Sequence, residues 1–344
     1  MSSVDVLFIG DLHFDKLTKY FGTLDSLARQ MSEIEKALTY AKKNGIQHII
    51  FLGDICENVR LSTEAEFTLL NLLRRTTEYG LEVHIILGNH DFAENGIHSL
   101  VLFKDICRFY IKNVTIYDTL TDVEIENVPF RFCPYPYTEG KSNRLNVGHF
   151  EVSQSIRDNG HVIKVANNVR SKHHWVMGHL HTPHDVNNVH YVGTLYQTNF
   201  GEKNKKFFSH STITLDDGVL YTKHRRVRNV ANFEFINLAI EYPDDIDKIE
   251  EDANKLYKLF IQDGVDFDET AIANLYNVVD VKGYNTKKEL KSLQEEDFIE
   301  INEQTLDLPS VVESVYDFFK ATGSESLMDR ANHYINLAKD KSVK

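Results

Sequence analysis

Apolar residues in the N-terminal part of the chain come in short, nearly unbroken runs: VDVLFIG (4–10), HIIFLG (48–53) and VHIILG (83–88), each closed by a glycine. Runs of this length bounded by glycine predict buried β-strands. Between them, residues 24–43 and 63–79 space their apolar positions as amphipathic helices do. Strand and helix alternate, which predicts a layered βαβ core.

After residue 128 the runs shorten. VPFRFCP, RLNVGHF, HHWVMGHLHT and VHYVGT predict brief strands, and STITLDDGVLYTKH predicts a hairpin turning on Asp217-Gly218. Two packed sheets with helices outside accommodate both halves. FEFINLAIEY (233–242) predicts a further strand, residues 244–264 a helix and LYNVVDV (275–281) a strand, together a small α/β unit over 233–285. Beyond it, Pro309 opens a helical spacing of apolar residues at 311, 312, 315, 318 and 319. A second spacing follows at 327, 328, 331, 335 and 338, and Gly323 between them suggests a helical hairpin.

Charge sharpens this division. Of the formal net charge of −13, residues 241–344 carry −12, from 24 acidic against 12 basic side chains, so the rest of the chain is nearly neutral. An acidic C-terminal third beside a neutral body implies that the two parts meet different partners. Three cysteines, Cys56, Cys107 and Cys133, with no CxxC spacing indicate neither a disulfide framework nor a cysteine zinc site. The N-terminal apolar run is too short for an export signal or a membrane span and contains Asp5. The expectation is a cytoplasmic protein without membrane contact.

The candidate chemistry sits where the strands end. Asp11 and His13 follow the first run in GDLHF, Asp54 follows the second in FLGDICEN, and Asn89, His90 and Asp91 follow the third in IILGNHDF. Later come His149 in NVGHF and the pair His179 and His181 in MGHLH. A lone Gly-Asp after a strand is an ordinary turn, but turns do not require histidine. Imidazoles, carboxylates and an amide drawn from several strand ends suit two divalent cations, with a carboxylate such as Asp54 able to bridge them.

In this order, GDLH, GD, GNHD, GH and GHLH resemble the calcineurin-like metallophosphoesterase family over residues 10–181. The resemblance implies a two-layer β-sandwich flanked by helices. It implies Asp11, His13, Asp54 and His181 as ligands of one ion, and Asp54, Asn89, His149 and His179 as ligands of the other. His90 would reach the scissile phosphate, with Asp91 orienting it.

The text GDICENVR lacks the GDxVDRG pattern that protein phosphatases of this fold share. GTLYQTNFGE (193–202) and the order of parts are more similar to the SbcD-type repair and recombination nucleases, above all those of tailed bacteriophages. Where cellular members often place a histidine three residues after the bridging Asp, Glu57 stands here.

That branch implies a phosphoesterase domain at 1–232, a cap at 233–285, and a linker with a helical segment at 286–344 that binds an SbcC-type coiled-coil ATPase. It further implies Mn²⁺ or Mg²⁺ as the metal, a homodimer, and DNA as substrate, in a host cytoplasm for a phage protein. The activities implied are 3′–5′ exonuclease on duplex ends and endonuclease on single strands. Lys203, Lys205, Lys206, Lys223, Arg225, Arg226 and Arg228 form the densest basic segments for a DNA backbone. A phosphodiesterase acting on a nucleotide or another small phosphoester remains open as an alternative.

Overall fold

The glycine-bounded runs are strands β1 (Ser2–Ile9), β2 (His48–Leu52) and β3 (Glu82–Ile86) in a computed structural model of the chain. It describes residues 1–295 apart from 94–95, 159, 165, 168, 171, 204, 266–271 and 273–274. The helical hairpin expected beyond residue 309 lies outside the described residues.

Helices α1 (Thr18–Phe21) and α2 (Thr23–Lys43) join β1 to β2, and α3 (Thr63–Glu78) joins β2 to β3. The helix α4 (Val101–Tyr110) then leads to β4 (Val114–Tyr117). These four strands pair in parallel. The predicted hairpin, β11 (Lys206–Asp216) and β12 (Val219–Asn229), adds antiparallel to β1 and completes a six-stranded sheet. Its turn residues Asp217 and Gly218 have φ of 47° and 78°, as a two-residue hairpin loop requires.

A second six-stranded sheet has the order β5 (Thr121–Ile125), β6 (Val128–Cys133), β7 (Leu145–Gly148), β8 (His174–Met177), β10 (Val189–Tyr191), β9 (His184–Val186). The architecture is an α/β two-layer sandwich flanked by helices.

Side-chain alternation explains the layering. In β1, Leu7 and Ile9 face the helices, whereas Val4, Val6 and Phe8 meet Phe130, Phe132, Val147 and Val176 of the second sheet. In β2, Ile49 and Phe51 take the first direction and Ile50 and Leu52 the second. Strands buried on both faces read as continuous apolar runs.

The region after residue 233 departs from expectation. β13 (Glu234–Ile240), β14 (Lys255–Gln262) and β15 (Val278–Tyr284) form a parallel three-stranded sheet, and residues 244–264 are no helix. Pro243–Lys248 makes a 3-10 turn, and KLYKLFIQ is the central strand. Paired on both edges and covered on both faces, β14 buries Leu256, Leu259 and Phe260 alike, so its pattern has no period of two. Its Lys258 is buried with Asp280 3.4 Å away. Phe233, Phe235 and Leu256 join the main helical core, where Tyr20 and Phe235 rings lie 4.8 Å apart. Helix α5 (Lys287–Glu295) follows. No helix among the described residues is long and apolar enough to cross a membrane.

His84 in β3 is expected to make the fold acid-sensitive. It is stacked between His48 and Phe132, with ring centroids 6.1 and 5.5 Å away. Burial, then the neighbouring His48, lowers its pKa from 6.5 to about 4. The folded state thus resists a proton that the unfolded chain accepts, so its contribution is full above pH 6.5 and declines as pH falls toward 4. His84→Phe is expected to recover about 2 kcal/mol of the stability lost across that window. Urea unfolding at pH 7 and pH 4.5 checks this, and equal pH dependence in variant and parent would refute it.

Candidate metal centre

The carboxyl ends of β1, β2 and β3 in one sheet, and of β7 and β8 in the other, open at the same edge of the sandwich. Every candidate ligand lies one to three residues beyond one of these ends, except His13 and His181, which follow β1 and β8 by four. The loops there are tightly wound. Asp11, His13, Asp54 and His179 have φ of 36°, 46°, 46° and 77°, left-handed backbone that costs non-glycine residues on the order of 1 kcal/mol each and concentrates at functional sites.

The loops brace one another. Gln30 of α2 donates to the Leu12 and His13 carbonyls, both at 3.0 Å, and Ser62, which caps α3, donates to Asp15. Asp54 Oδ1 accepts from His90 N, and Asp11 Oδ1 from His179 N, each at 2.9 Å.

Four groups of side chains result among the described residues, and two of them extend from the others, to Glu57 with His90 and to Asp158 with Glu202. Asp11, His13 and His181 offer ligand atoms within 4.8 Å of one another, and so do Asp54, His149 and His179. Asn89 Oδ1 joins the second group, 3.1 Å from His149 Nε2 and 3.0 Å from His179 Nδ1. Asp54 Oδ2 stands between the groups, 3.2 Å from His149 Nε2 and 3.7 Å from His13 Nε2.

The donor set fits cations. His13 Nδ1 lies 2.7 Å from Glu57 Oε2, His181 Nδ1 2.8 Å from Glu202 Oε1, and His149 Nδ1 2.7 Å from the Leu52 carbonyl. These oxygens only accept, so each Nδ1 carries a proton, and in the neutral ring each Nε2 is the nitrogen left to bind a cation. His13 Nε2 and His181 Nε2 face each other at 3.1 Å, close enough to turn on one ion. Asp11 Oδ2 is buried and has no hydrogen-bond partner. A divalent ion between these atoms would satisfy all three.

Without a cation the charges are opposed, and an ion would have to displace protons from His181 and from His149, which, against burial, Asp54 raises to about 9. Burial, followed by Lys16, lowers His13 to about 4, which keeps it a neutral ligand. Burial also drives the Asp11 carboxyl up to about 7. At Asp54 burial is outweighed by the charge and hydrogen bond of His149, which hold the carboxylate well below its usual range. Burial opposes charge on His181 as well, but Glu202 raises it to about 10. Such opposed shifts among touching groups are the mark of a site arranged around charge.

A model of the calcineurin-like phosphoesterase family matches residues 4–211. The chain belongs to that family. As a calcineurin-like phosphoesterase it is a metal-dependent hydrolase of phosphoesters, and the His and Asp groups above are the ones available to divalent ions.

Exonuclease subunit 1 of Enterobacteria phage T4 is 27% identical over 195 residues, 51% of this chain and 55% of that protein. The chain thus spans about half the length of that curated relative. A dimetal phosphatase from Danio rerio is similar with a TM-score of 0.41 and 10% identity, over 66% of this chain and 99% of that one.

The structure brings together all seven residues expected as ligands. His90 lies beside them, its ring 4.9 Å from that of His13 and its Nδ1 3.1 Å from the Glu57 carbonyl. Asp91 is placed differently from the reading that it orients His90. Its carboxylate accepts from Gly88 N, Cys56 N, Ile55 N and Ser99 Oγ, so it ties the β2 and β3 loops together.

Lys206, grouped with the exposed basic residues by sequence, is buried against Glu202 and Thr194. Arg226 pairs with Asp185, whereas Lys223, Arg225 and Arg228 are exposed. Sequence reasoning gave no role to Glu202 or to the Leu52 carbonyl. Glu202 had a signal, since it closes the GTLYQTNFGE segment.

Proposed function

We propose that this phosphoesterase is a two-metal DNA nuclease subunit, with 3′–5′ exonuclease activity on duplex ends and endonuclease activity on single strands. It works in a recombination and double-strand-break repair complex with an SbcC-type ATPase. The observation that carries the reading is the joint presence of two adjacent ligand groups, with Asp54 between them, and the imidazole of His90 beside them, within reach of His13 and Glu57. The T4 exonuclease subunit supports DNA over other phosphoesters.

The residues divide the work. Asp11, His13, Asp54 and His181 would hold one ion and Asp54, Asn89, His149 and His179 the other, with Mn²⁺ or Mg²⁺ as the metal. Such a pair supplies a nucleophile at neutral pH and neutralises the phosphate charge that builds in the transition state. His90 donates Nδ1–H to the Glu57 carbonyl, and Asp54 accepts from its backbone N–H. In the doubly protonated ring, with Nδ1–H held by that carbonyl, Nε2–H is free to protonate the departing 3′ oxygen or to stabilise charge there.

The assembly follows the same reading. Val101, Leu102, Phe109 and Tyr110 on and beside the outer face of α4 are exposed, as is Phe67 of α3, and these support a homodimer. Residues 309–340 would dock on the ATPase, and Lys223, Arg225 and Arg228 offer phosphate contacts.

The test is digestion of end-labelled duplex and single-stranded DNA by the purified chain with Mn²⁺, with and without the ATPase. An aryl phosphodiester and a chain lacking 309–340 run alongside. Mn²⁺-dependent shortening from 3′ ends and internal cuts in single strands are expected, with ATPase binding lost on the deletion. Intact DNA under both conditions, beside a hydrolysed aryl ester, would replace the nuclease with a small-ester phosphodiesterase. Light scattering at the 39.7 kDa of a single chain would remove the dimer.

A further inference from the structure

The two cation sites are built from different materials. The Asp11 half has a carboxylate of its own besides the shared Asp54, whereas the Asn89 half has a neutral amide in that place. The residues behind the histidines repeat the contrast. His13 and His181 are each backed at Nδ1 by a carboxylate, Glu57 at 2.7 Å and Glu202 at 2.8 Å. His149 is backed by a peptide carbonyl, that of Leu52, at 2.7 Å. On that side the carboxylate of Glu151 stands 3.8 Å from His179 Nε2, and its two oxygens are engaged by Arg157 at 2.9 and 3.0 Å.

A carboxylate behind a ligating imidazole fixes the ring and raises the basicity of its other nitrogen more than a neutral carbonyl does. Both backing carboxylates are themselves anchored. Glu57 Oε2 lies 3.3 Å from Lys16 Nζ, and Glu202 is fully buried between Lys206, Thr198 and His181. These lysines set a positive charge beside each carboxylate.

We propose that Glu57 and Glu202 are positioning residues that make the Asp11–His13–His181 site the tighter of the two, so that the cations load in sequence. The site that contains Asn89 is then the exchangeable one, filled last. The carboxylate of Glu57 serves His13 while its carbonyl serves His90, which couples the tight site to the group that faces the substrate. This inference rests on the two-cation reading proposed above.

The test is calorimetric titration of the full, metal-free chain with Mn²⁺. The parent is expected to show two classes of site of unequal affinity. Glu57→Gln preserves an acceptor for His13 Nδ1 but removes the charge, and is expected to weaken the tighter class roughly tenfold while leaving the weaker class unchanged. Glu202→Gln should do the same where it folds; because it leaves Lys206 buried without its carboxylate, Glu57→Gln carries the test alone if it does not. Asn89→Ala should weaken only the weaker class. Thermal melting of the metal-free Glu57→Gln chain should match the parent, which separates loss of affinity from loss of fold. Equal weakening of both classes, or of the weaker class only, or no change would overturn the proposal. A parent that binds no Mn²⁺ would instead refute the two-cation reading itself, and this inference with it.

Discussion

His90→Ser is expected to bind Mn²⁺ as the parent does and to hydrolyse DNA about 10²–10⁴-fold more slowly. The geometry separates these two effects. The bond from His90 to Asp54 Oδ1 is made by the backbone N–H, which serine retains, so the shared carboxylate keeps its orientation. The ring has a single hydrogen bond among the described residues, through Nδ1 to the Glu57 carbonyl, and belongs to neither of the two groups that carry Asp11 or Asp54. Serine therefore removes only the imidazole that would meet the leaving oxygen, roughly 3–5 kcal/mol of transition-state stabilisation.

Single-turnover rates on end-labelled duplex, beside a Mn²⁺ titration, read the two quantities apart. Turnover within a few-fold of the parent would take His90 out of the chemistry. Loss of Mn²⁺ binding in step with turnover would make it part of the metal centre.

The candidate ligands were legible in the sequence because their chemistry and their placement coincide. A buried parallel strand is an unbroken apolar run, its end is marked by glycine, and the aspartate, asparagine and histidine beyond it are side chains able to hold a cation. Asp54 and Asn89 could therefore be picked out of FLGD and ILGNHD before any pairing was known.

What could not be read has three causes. Backing groups act through atoms that carry no side-chain signature, as the Leu52 carbonyl does for His149, or lie outside the motif they serve, as Glu202 does 21 residues after His181. Central strands of a small sheet lose their alternation, which is why KLYKLFIQ reads as helix. Asp91 shows a third limit. A carboxylate next to His90 in sequence points to backbone amides of two loops, and only tertiary structure reveals which neighbour it serves.

Gly88→Ala is expected to weaken Mn²⁺ binding at both sites and to cost about 1–3 kcal/mol of stability in the metal-free chain, because the β3 loop passes the β2 loop with no room for a methyl group. A Cβ at Gly88 would overlap Asp54 Oδ1 and the Asp54 backbone nitrogen, and would lie 2.7 Å from His149 Cε1. The loop is poorly placed to retreat, since Gly88 N donates to Asp91 Oδ2 at 2.9 Å and Asp91 also holds the β2 loop. The displaced groups are the shared carboxylate and a ligand of the second site, so both affinities should fall together, unlike the one-sided loss expected of Glu57→Gln.

Gly80→Ala is the matched control. It sits at φ 69° with nothing within 4 Å of a new Cβ, so it carries backbone strain of roughly 1 kcal/mol without steric overlap and should leave Mn²⁺ binding intact. Urea unfolding and Mn²⁺ titration of both variants decide the matter. A Gly88→Ala chain that binds Mn²⁺ like the parent would mean that the close passage of these two loops does not set the position of Asp54.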